Sequence, residues 1–234
     1  MLWAFMNPVL MLLVFTFVFG VVFKARWPDA PPDAGTREFA LIIFFGLIVY
    51  GLMSECLSRA PTLITSNASY VKKVVFPLEI LPVVALLSAL FQAMVSLGML
   101  LLVYPFVFGA PPATALWTPI ILAPLCIGVL GASWLFASLG VFIRDIGQVV
   151  PVLLTAILFL SPIFYSSEGL PAEYREALSY GPLVLILDSA RGAFFFGRDP
   201  DWIALGKYTL ASSALAVLGF WWFSRTRKAF ADVI

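Results

Sequence analysis

Histidine is missing from all 234 residues, and charge is scarce, at 12% of the chain. Soluble domains carry roughly 25% charged residues. The first absence removes the usual proton shuttle and the commonest metal ligand. The second leaves too little polar side chain to cover a surface facing water. Fourteen Lys and Arg against thirteen Asp and Glu give a net charge of +1, which offers nothing to a nucleic acid. Only two cysteines occur, Cys56 and Cys126, both in or beside apolar runs. They make neither a disulfide framework nor a metal-type spacing, and read as small buried hydrophobes. The chain holds no GxxxxGKS or GxxxxGKT phosphate loop, and no GxSxG, HExxH or CxxC. It therefore carries no recognisable site for ATP hydrolysis or for the commoner hydrolytic chemistries. Ion-coupled carriers need ionisable groups within the membrane. The sole such group in a clear apolar span is Glu55, near its end. A transport pathway without its own energy source fits these absences, with an external motor to drive it.

What is present is apolar side chain. Hydrophobic residues make up 62% of the chain, and mean hydropathy is +1.02. This composition predicts an integral membrane protein. A hydrocarbon core of about 30 Å needs about 20 apolar residues in a helix. Six segments meet or approach that length: residues 2–23, 39–57, 83–108, 116–143, 146–165 and 208–224. Helices are the default, because lipid offers open backbone groups no partner. The ten-residue alternation of a barrel strand is absent from these runs. The first segment lacks a basic flank and a small-x-small cleavage site, so it reads as a retained span and not as a signal peptide.

Residues 181–197, "GPLVLILDSARGAFFFG", fit neither span nor loop. Their apolar runs are too short to cross, and Asp188 and Arg191 divide them. The preceding "LPAEYREALSYG" has a proline at a helix start and a glycine at its end. Residues 170–197 are thus expected to form two short re-entrant helices on one face, which membranes tolerate against protein or a cavity. Asp188 and Arg191, three apart, share a helix face and can pair. The fold class expected is an all-α integral membrane protein with six transmembrane helices plus these short elements, in one domain over residues 1–234. Six spans put both termini on one side. Lys and Arg divide seven against seven between the two sides, so the positive-inside count does not decide. "SRTRKAF", abutting the last span, favours termini in the cytoplasm.

The joint between the second and third spans reads "SRAPTLITSNASYVKKVVFPLEILP". Ser66 or Asn67 is placed to cap a short helix. Lys72 and Lys73 then fall near its end, where the helix dipole favours cations. Pro77 stops it and Pro82 opens the next span. Two readings stand for residues 60–76: an anchoring loop whose lysines meet anionic head groups, or a docking helix that passes force from a cytoplasmic partner. "RDIGQ" is the polar break between the fourth and fifth spans. Its Arg144 and Asp145 serve as a tight turn, as a pair with each other or a neighbouring helix, or as a guide for an anionic substrate. Phe15, Phe19 and Phe23 recur at four-residue spacing and share one helix face. Phe159, Phe164 and Tyr165 cluster at the outer end of the fifth span. Both aromatic sets suit packing or an interface belt.

Taken in order, "SECLSR", "VKKVVFPLEILP", "FIRDIGQVVPVLL", "SPIFY" and "FADVI" resemble the permease subunit of ABC-2 type exporters of polysaccharide and polyol phosphate, the O-antigen, capsule and teichoic acid group. The resemblance covers nearly the whole chain. It implies the ABC-2, or type V exporter, fold: six spans per chain, re-entrant gate helices on the outer face around Asp188 and Arg191, and cytoplasmic termini in the bacterial inner membrane. It implies a homodimer with two copies of a cytoplasmic ABC ATPase subunit. ATP and Mg bind that partner, and this chain holds no cofactor or metal and is no enzyme. The joint becomes the coupling helix, with Ser66, Asn67, Tyr70, Val71, Lys72, Lys73 and Phe76 as contacts to the ATPase. The cargo implied is an undecaprenyl-linked polysaccharide. Sugar rings would slide over Phe15, Phe19, Phe23, Phe159, Phe164 and Tyr165 in the channel, and Arg144 and Asp145 would admit the substrate. A small drug or lipid as cargo is the alternative. A lipid-linked glycosyltransferase is a third reading, with Asp199 and Asp201 as its carboxylates, although "GRDPDW" looks like a surface turn. The family usually opens with a basic amphipathic interfacial helix. Here "MLWAF" already stands in the first span, so a late start or a truncation is expected.

Overall fold

A computed structural model of the chain describes residues 6, 9–11, 13–14, 16–18, 36–69, 76–166 and 181–233. Most of the first predicted span, with Phe15, Phe19 and Phe23, lies outside the described residues. So do Tyr70, Val71, Lys72 and Lys73, and residues 170–180 of the expected re-entrant pair.

Among the described residues the structure is helical, without strands. Helix α1 spans Thr36–Arg59, α2 Ile80–Val103, α3 Thr118–Phe142, α4 Ile146–Leu160, α5 Val184–Phe195, α6 Trp202–Thr226 and α7 Phe230–Val233. With their flanking turns, four stretches are long and apolar enough to cross a membrane: Arg37–Thr62, Ile80–Phe108, Ala113–Phe142 and Trp202–Ala229. At 15 residues α4 is about 22 Å long, and α5 at 12 residues about 18 Å, both short of the hydrocarbon thickness.

Helix ends follow from local chemistry more than from hydropathy. Apolar sequence continues to Tyr165, yet α4 stops at Leu160. Pro162 has no N–H to donate and drives Ser161 away from helical angles. The chain then bends, with the Ile163 N–H donating to the Ser161 carbonyl at 2.7 Å. In contrast, α6 extends beyond the apolar run 208–224 at both ends. Lys207 and Arg225 are tolerated there because long basic side chains reach outward along apolar surface to water. Helix α2 starts at Ile80, two residues before Pro82. A proline in the first turn removes an N–H that has no helical partner anyway.

The chain divides into two compact units. The first comprises Met1–Tyr50, Phe91–Leu122 and Leu158–Asp201, the second Gly51–Leu90, Ala123–Ile157 and Trp202–Ile234. In the first, Phe39–Phe45 of α1 and Ile186, Leu187, Ala190, Ala193, Phe194 and Phe195 of α5 are all buried. Phe45 stacks on Phe194 at 4.9 Å, and Tyr104 meets Phe194 edge-on at 5.5 Å. The Tyr104 hydroxyl donates to the Phe194 carbonyl at 3.1 Å, and Thr114 Oγ1 to the Ala193 carbonyl at 2.6 Å. Past Phe196, Gly197 turns with φ +65°, the left-handed region that glycine enters without penalty. That turn lets the Phe196 and Arg198 N–H groups both donate to the Gly192 carbonyl.

The second unit centres on Ile64, Leu78, Ala137, Val141, Phe223 and Phe230, with Phe76, Leu81 and Trp134 packed against them. Helices α3 and α6 meet there through small residues. A Cβ on Gly131 would strike the Ala216 backbone, and one on Gly219 the Gly131 carbonyl. Small side chains allow this close backbone approach, which replaces the hydrophobic drive that lipid cannot supply. Likewise Gly140 of α3 lies against the Pro61 carbonyl.

These contacts set a test of packing. Gly140→Ala must displace backbone, whereas a Cβ on Gly51 meets open space. The first is expected to destabilise by about 1–3 kcal/mol. The second is expected to be neutral or to stabilise by up to about 1 kcal/mol, because alanine is the better helix former. Thermal unfolding of both variants in detergent measures the contrast.

Candidate functional site

Residues 60–69 and 76–79 frame the charged joint of the second unit. At the end of α1, Arg59 pairs with Glu55 at 2.8 Å. Two short 3-10 turns follow, Ala60–Thr62 and Thr65–Asn67. Their side chains satisfy their own carbonyls: Thr62 donates to Arg59, Thr65 to Thr62, and both Ser66 and Asn67 to Leu63. Ser66 and Asn67, expected to open a helix, thus bond back onto the turn before them. Short hydroxyl and amide side chains readily make such local backbone bonds. Ile64 is fully buried in the unit's core. The joint is therefore anchored at its start by Pro61 on Gly140 and by Ile64.

Its far end is anchored on the same core. Phe76 and Leu78 pack into the same core. The Glu79 carbonyl accepts the Trp134 indole N–H at 3.0 Å, and the Glu79 carboxylate pairs with Arg227 at 2.8 Å. Phe76, expected among the contacts for a partner, is half-buried within this chain. The sequence reading missed Glu79, Trp134 and Arg227. The signal available was a lone glutamate between two prolines, opposite a basic stretch 148 residues later.

Arg144 and Asp145 form the turn between α3 and α4. The Asp145 carbonyl accepts the Gln148 and Val149 N–H groups, at 2.9 and 3.1 Å. Asp145 precedes α4, where its negative charge meets the positive end of the helix. Both side chains are exposed, and among the described residues they form no ion pair with each other.

In the first unit the structure assembles Phe159, Phe164 and Tyr165. The two phenyl rings lie 6.0 Å apart, and the Tyr165 hydroxyl donates to the Leu160 carbonyl at 2.8 Å. Asp188 and Arg191 diverge in environment. Asp188 is exposed, while Arg191 is only 2% exposed. The Arg191 guanidinium donates to the Pro162 carbonyl and, at 2.7 Å, to the Ile163 carbonyl. A Cβ on Gly46 of α1 would run into it. Burial lowers the Arg191 pKa to about 10, and the Asp188 carboxylate acts in the opposite direction. Asp199 and Asp201 are exposed in an irregular stretch, and among the described residues no group of three or more Cys, Asp or Glu could hold a metal.

The amino-acid sequence matches a known family. The family model described as ABC-2 type transporter matches residues 1–195. The chain belongs to the ABC-2 type transporter family. Similar curated proteins run along its whole length. "O-antigen export system permease protein RfbA" of Klebsiella pneumoniae is 24% identical over 236 residues, covering 100% of this chain and 86% of that protein. The protein of the same name from Myxococcus xanthus is 27% identical over 241 residues, covering 100% and 87%. "Polysialic acid transport protein KpsM" of Escherichia coli is 24% identical over 233 residues, covering 97% and 85%.

Arg191 gives this ABC-2 chain a sharp test. Arg191→Gln reaches at most one of the two carbonyls, and an acceptor left buried without a donor costs about 1–3 kcal/mol. Arg191→Lys keeps the charge but not the two-pronged geometry. Both are expected to lower the melting temperature in detergent, with Gln the worse. Wild-type melting for both would remove Arg191 from its supporting role.

Proposed function

We propose that the chain is the membrane permease subunit of an ATP-driven exporter that moves a lipid-linked polysaccharide, of O-antigen, capsule or teichoic acid type, across the bacterial inner membrane. The observation that carries this is the end-to-end similarity to two kinds of protein whose names state O-antigen export and polysialic acid transport. The absence of any phosphate loop from the sequence supports hydrolysis on a separate ATPase subunit, which binds ATP and Mg. The working unit is two copies of this chain with two of that subunit.

In this reading residues 1–234 form one membrane domain of six spans with cytoplasmic termini. Residues 60–76 couple it to the ATPase. Tyr70, Val71, Lys72 and Lys73 make the contact, and Ser66, Asn67 and Phe76 brace it. The bracing is supported by the anchoring of Ile64, Phe76 and Glu79 on one core. Phe15, Phe19, Phe23, Phe159, Phe164 and Tyr165 line the path, since aromatic faces hold sugar rings loosely enough for a polymer to move. Arg144, unpaired with Asp145, receives the anionic lipid carrier. Helix α5, too short to cross, belongs with residues 170–183 to a re-entrant outer gate, and Asp188 and Arg191 sit in it.

Deleting the gene from its host tests the cargo. Polymer is expected to vanish from the cell surface while its lipid-linked form accumulates inside, with both restored by the wild-type chain. Unchanged surface polymer together with a new sensitivity to small toxic compounds would identify a different cargo. The coupling assignment has its own readout. Val71→Asp, in complex with the ATPase, should cut export at least about tenfold while the permease still inserts; full export rules it out. For topology, Glu173→Cys and Arg198→Cys in a background without Cys56 and Cys126 should both react with an impermeant thiol reagent from outside. Labelling of either from the cytoplasm would make residues 170–197 a crossing segment.

A further inference from the structure

We infer that the second unit carries a binding site for an anionic glycerophospholipid, built by α3 and α6. An open trough of about 450 Å³ is lined by Trp134, Ala216, Val217, Phe220, Trp221 and Ser224. It runs into a hollow of about 310 Å³ that shares Trp221 and Ser224 and adds Arg225 and Lys228. Val217, Trp221 and Arg225 recur at steps of four on one face of α6, and Lys228 follows in the 3-10 turn Arg227–Ala229. That face changes from apolar to basic along its length.

The trough is preformed. Trp134 is fixed by its bond to the Glu79 carbonyl at 3.0 Å, and its ring meets Phe220 edge-on at 5.1 Å. The basic end is not internally neutralised. Arg227 is taken by Glu79, but among the described residues neither Arg225 nor Lys228 has a carboxylate partner, and both are exposed.

This charge pattern selects one occupant. An acyl chain fits an apolar wall of Trp, Phe, Val and Ala, and a phosphate placed beyond Ser224 meets two cations. A soluble anion would gain nothing from the trough. A zwitterionic lipid brings its own cation to the basic end and gains less there. Basic pockets at the end of a membrane helix are built for anionic head groups. The site lies on α3 and α6, so it does not depend on what cargo the protein moves.

The full chain, purified in detergent, is mixed with dioleoyl phosphatidylglycerol and dioleoyl phosphatidylcholine at equal concentration, and retained lipid is read by native mass spectrometry. Phosphatidylglycerol is expected to be retained in preference. Arg225→Gln with Lys228→Gln should weaken that retention by roughly 30-fold, at about fivefold for each cation lost. Val217→Trp, which fills the trough and leaves the cations intact, should weaken it too. Arg225→Lys with Lys228→Arg, and Lys207→Gln elsewhere on α6, should retain it. Equal retention of both lipids by the wild type overturns the proposal. So does undiminished phosphatidylglycerol binding by the doubly neutral variant or by Val217→Trp. Displacement of phosphatidylglycerol by equimolar decaprenyl phosphate would give the site to an isoprenoid carrier, and would overturn it also.

Discussion

A carbonyl placed away from water must find a donor within the protein, and the bend after α4 is where this constraint is hardest to meet. Pro162 has no N–H and interrupts the helix, so the carbonyls of Pro162 and Ile163 cannot be served by a continuing helix. Arg191 serves both. It reaches them from α5, and it needs the space that a glycine at position 46 leaves. Helix α5 is held in turn by Phe45, Tyr104 and Thr114. The first unit is thus organised around a guanidinium, with an aromatic cluster that keeps its helix in place.

In the second unit short side chains serve the backbone of an exposed joint. Thr62, Thr65, Ser66 and Asn67 each return a hydrogen bond to a carbonyl three or four residues back. The joint can therefore be irregular without losing backbone partners. The Ser138 and Thr226 hydroxyls share a hydrogen bond at 2.7 Å, while Gly131 and Gly219 bring α3 and α6 into backbone contact. Polar bonds and close approach of small residues supply adhesion that burial alone cannot give between helices in lipid.

The apolar spans were legible because length and hydropathy are physical requirements of the bilayer, and four of them appear as long helices. Family membership was legible in the order of the short polar breaks. Helix ends were less so. The apolar run through Tyr165 hid the stop at Leu160, although Pro162 signalled it. The carbonyls that Arg191 serves were not legible, because backbone carbonyls have no sequence signature and the two lie 28 and 29 residues away. Glu79 and Arg227 illustrate the other difficulty: an ion pair across 148 residues appears only once the intervening helices have packed. Phe76 looked available to a partner because it sits in a polar joint, and only the packing of Ile64, Leu78 and Phe230 shows why it is half-buried.

For the coupling role proposed for residues 60–76, the unequal strength of their attachments matters. Pro61 against Gly140 is backbone on backbone, with no soft side chain between, and interiors packed this closely transmit displacement instead of absorbing it. Ile64 and Leu78 add buried apolar contact on the same core. The Glu79–Arg227 pair is different. Its side chains are 24% and 45% exposed, which limits such a pair to about 1 kcal/mol or less. A push on residues 60–76 from a partner would therefore carry the end of α1, the start of α2 and the adjoining part of α3 together. The exposed ion pair would yield first. On that mechanical reading the stiff contacts define the body that moves, and Glu79–Arg227 marks where its hold on the C-terminal segment can open and close at little cost.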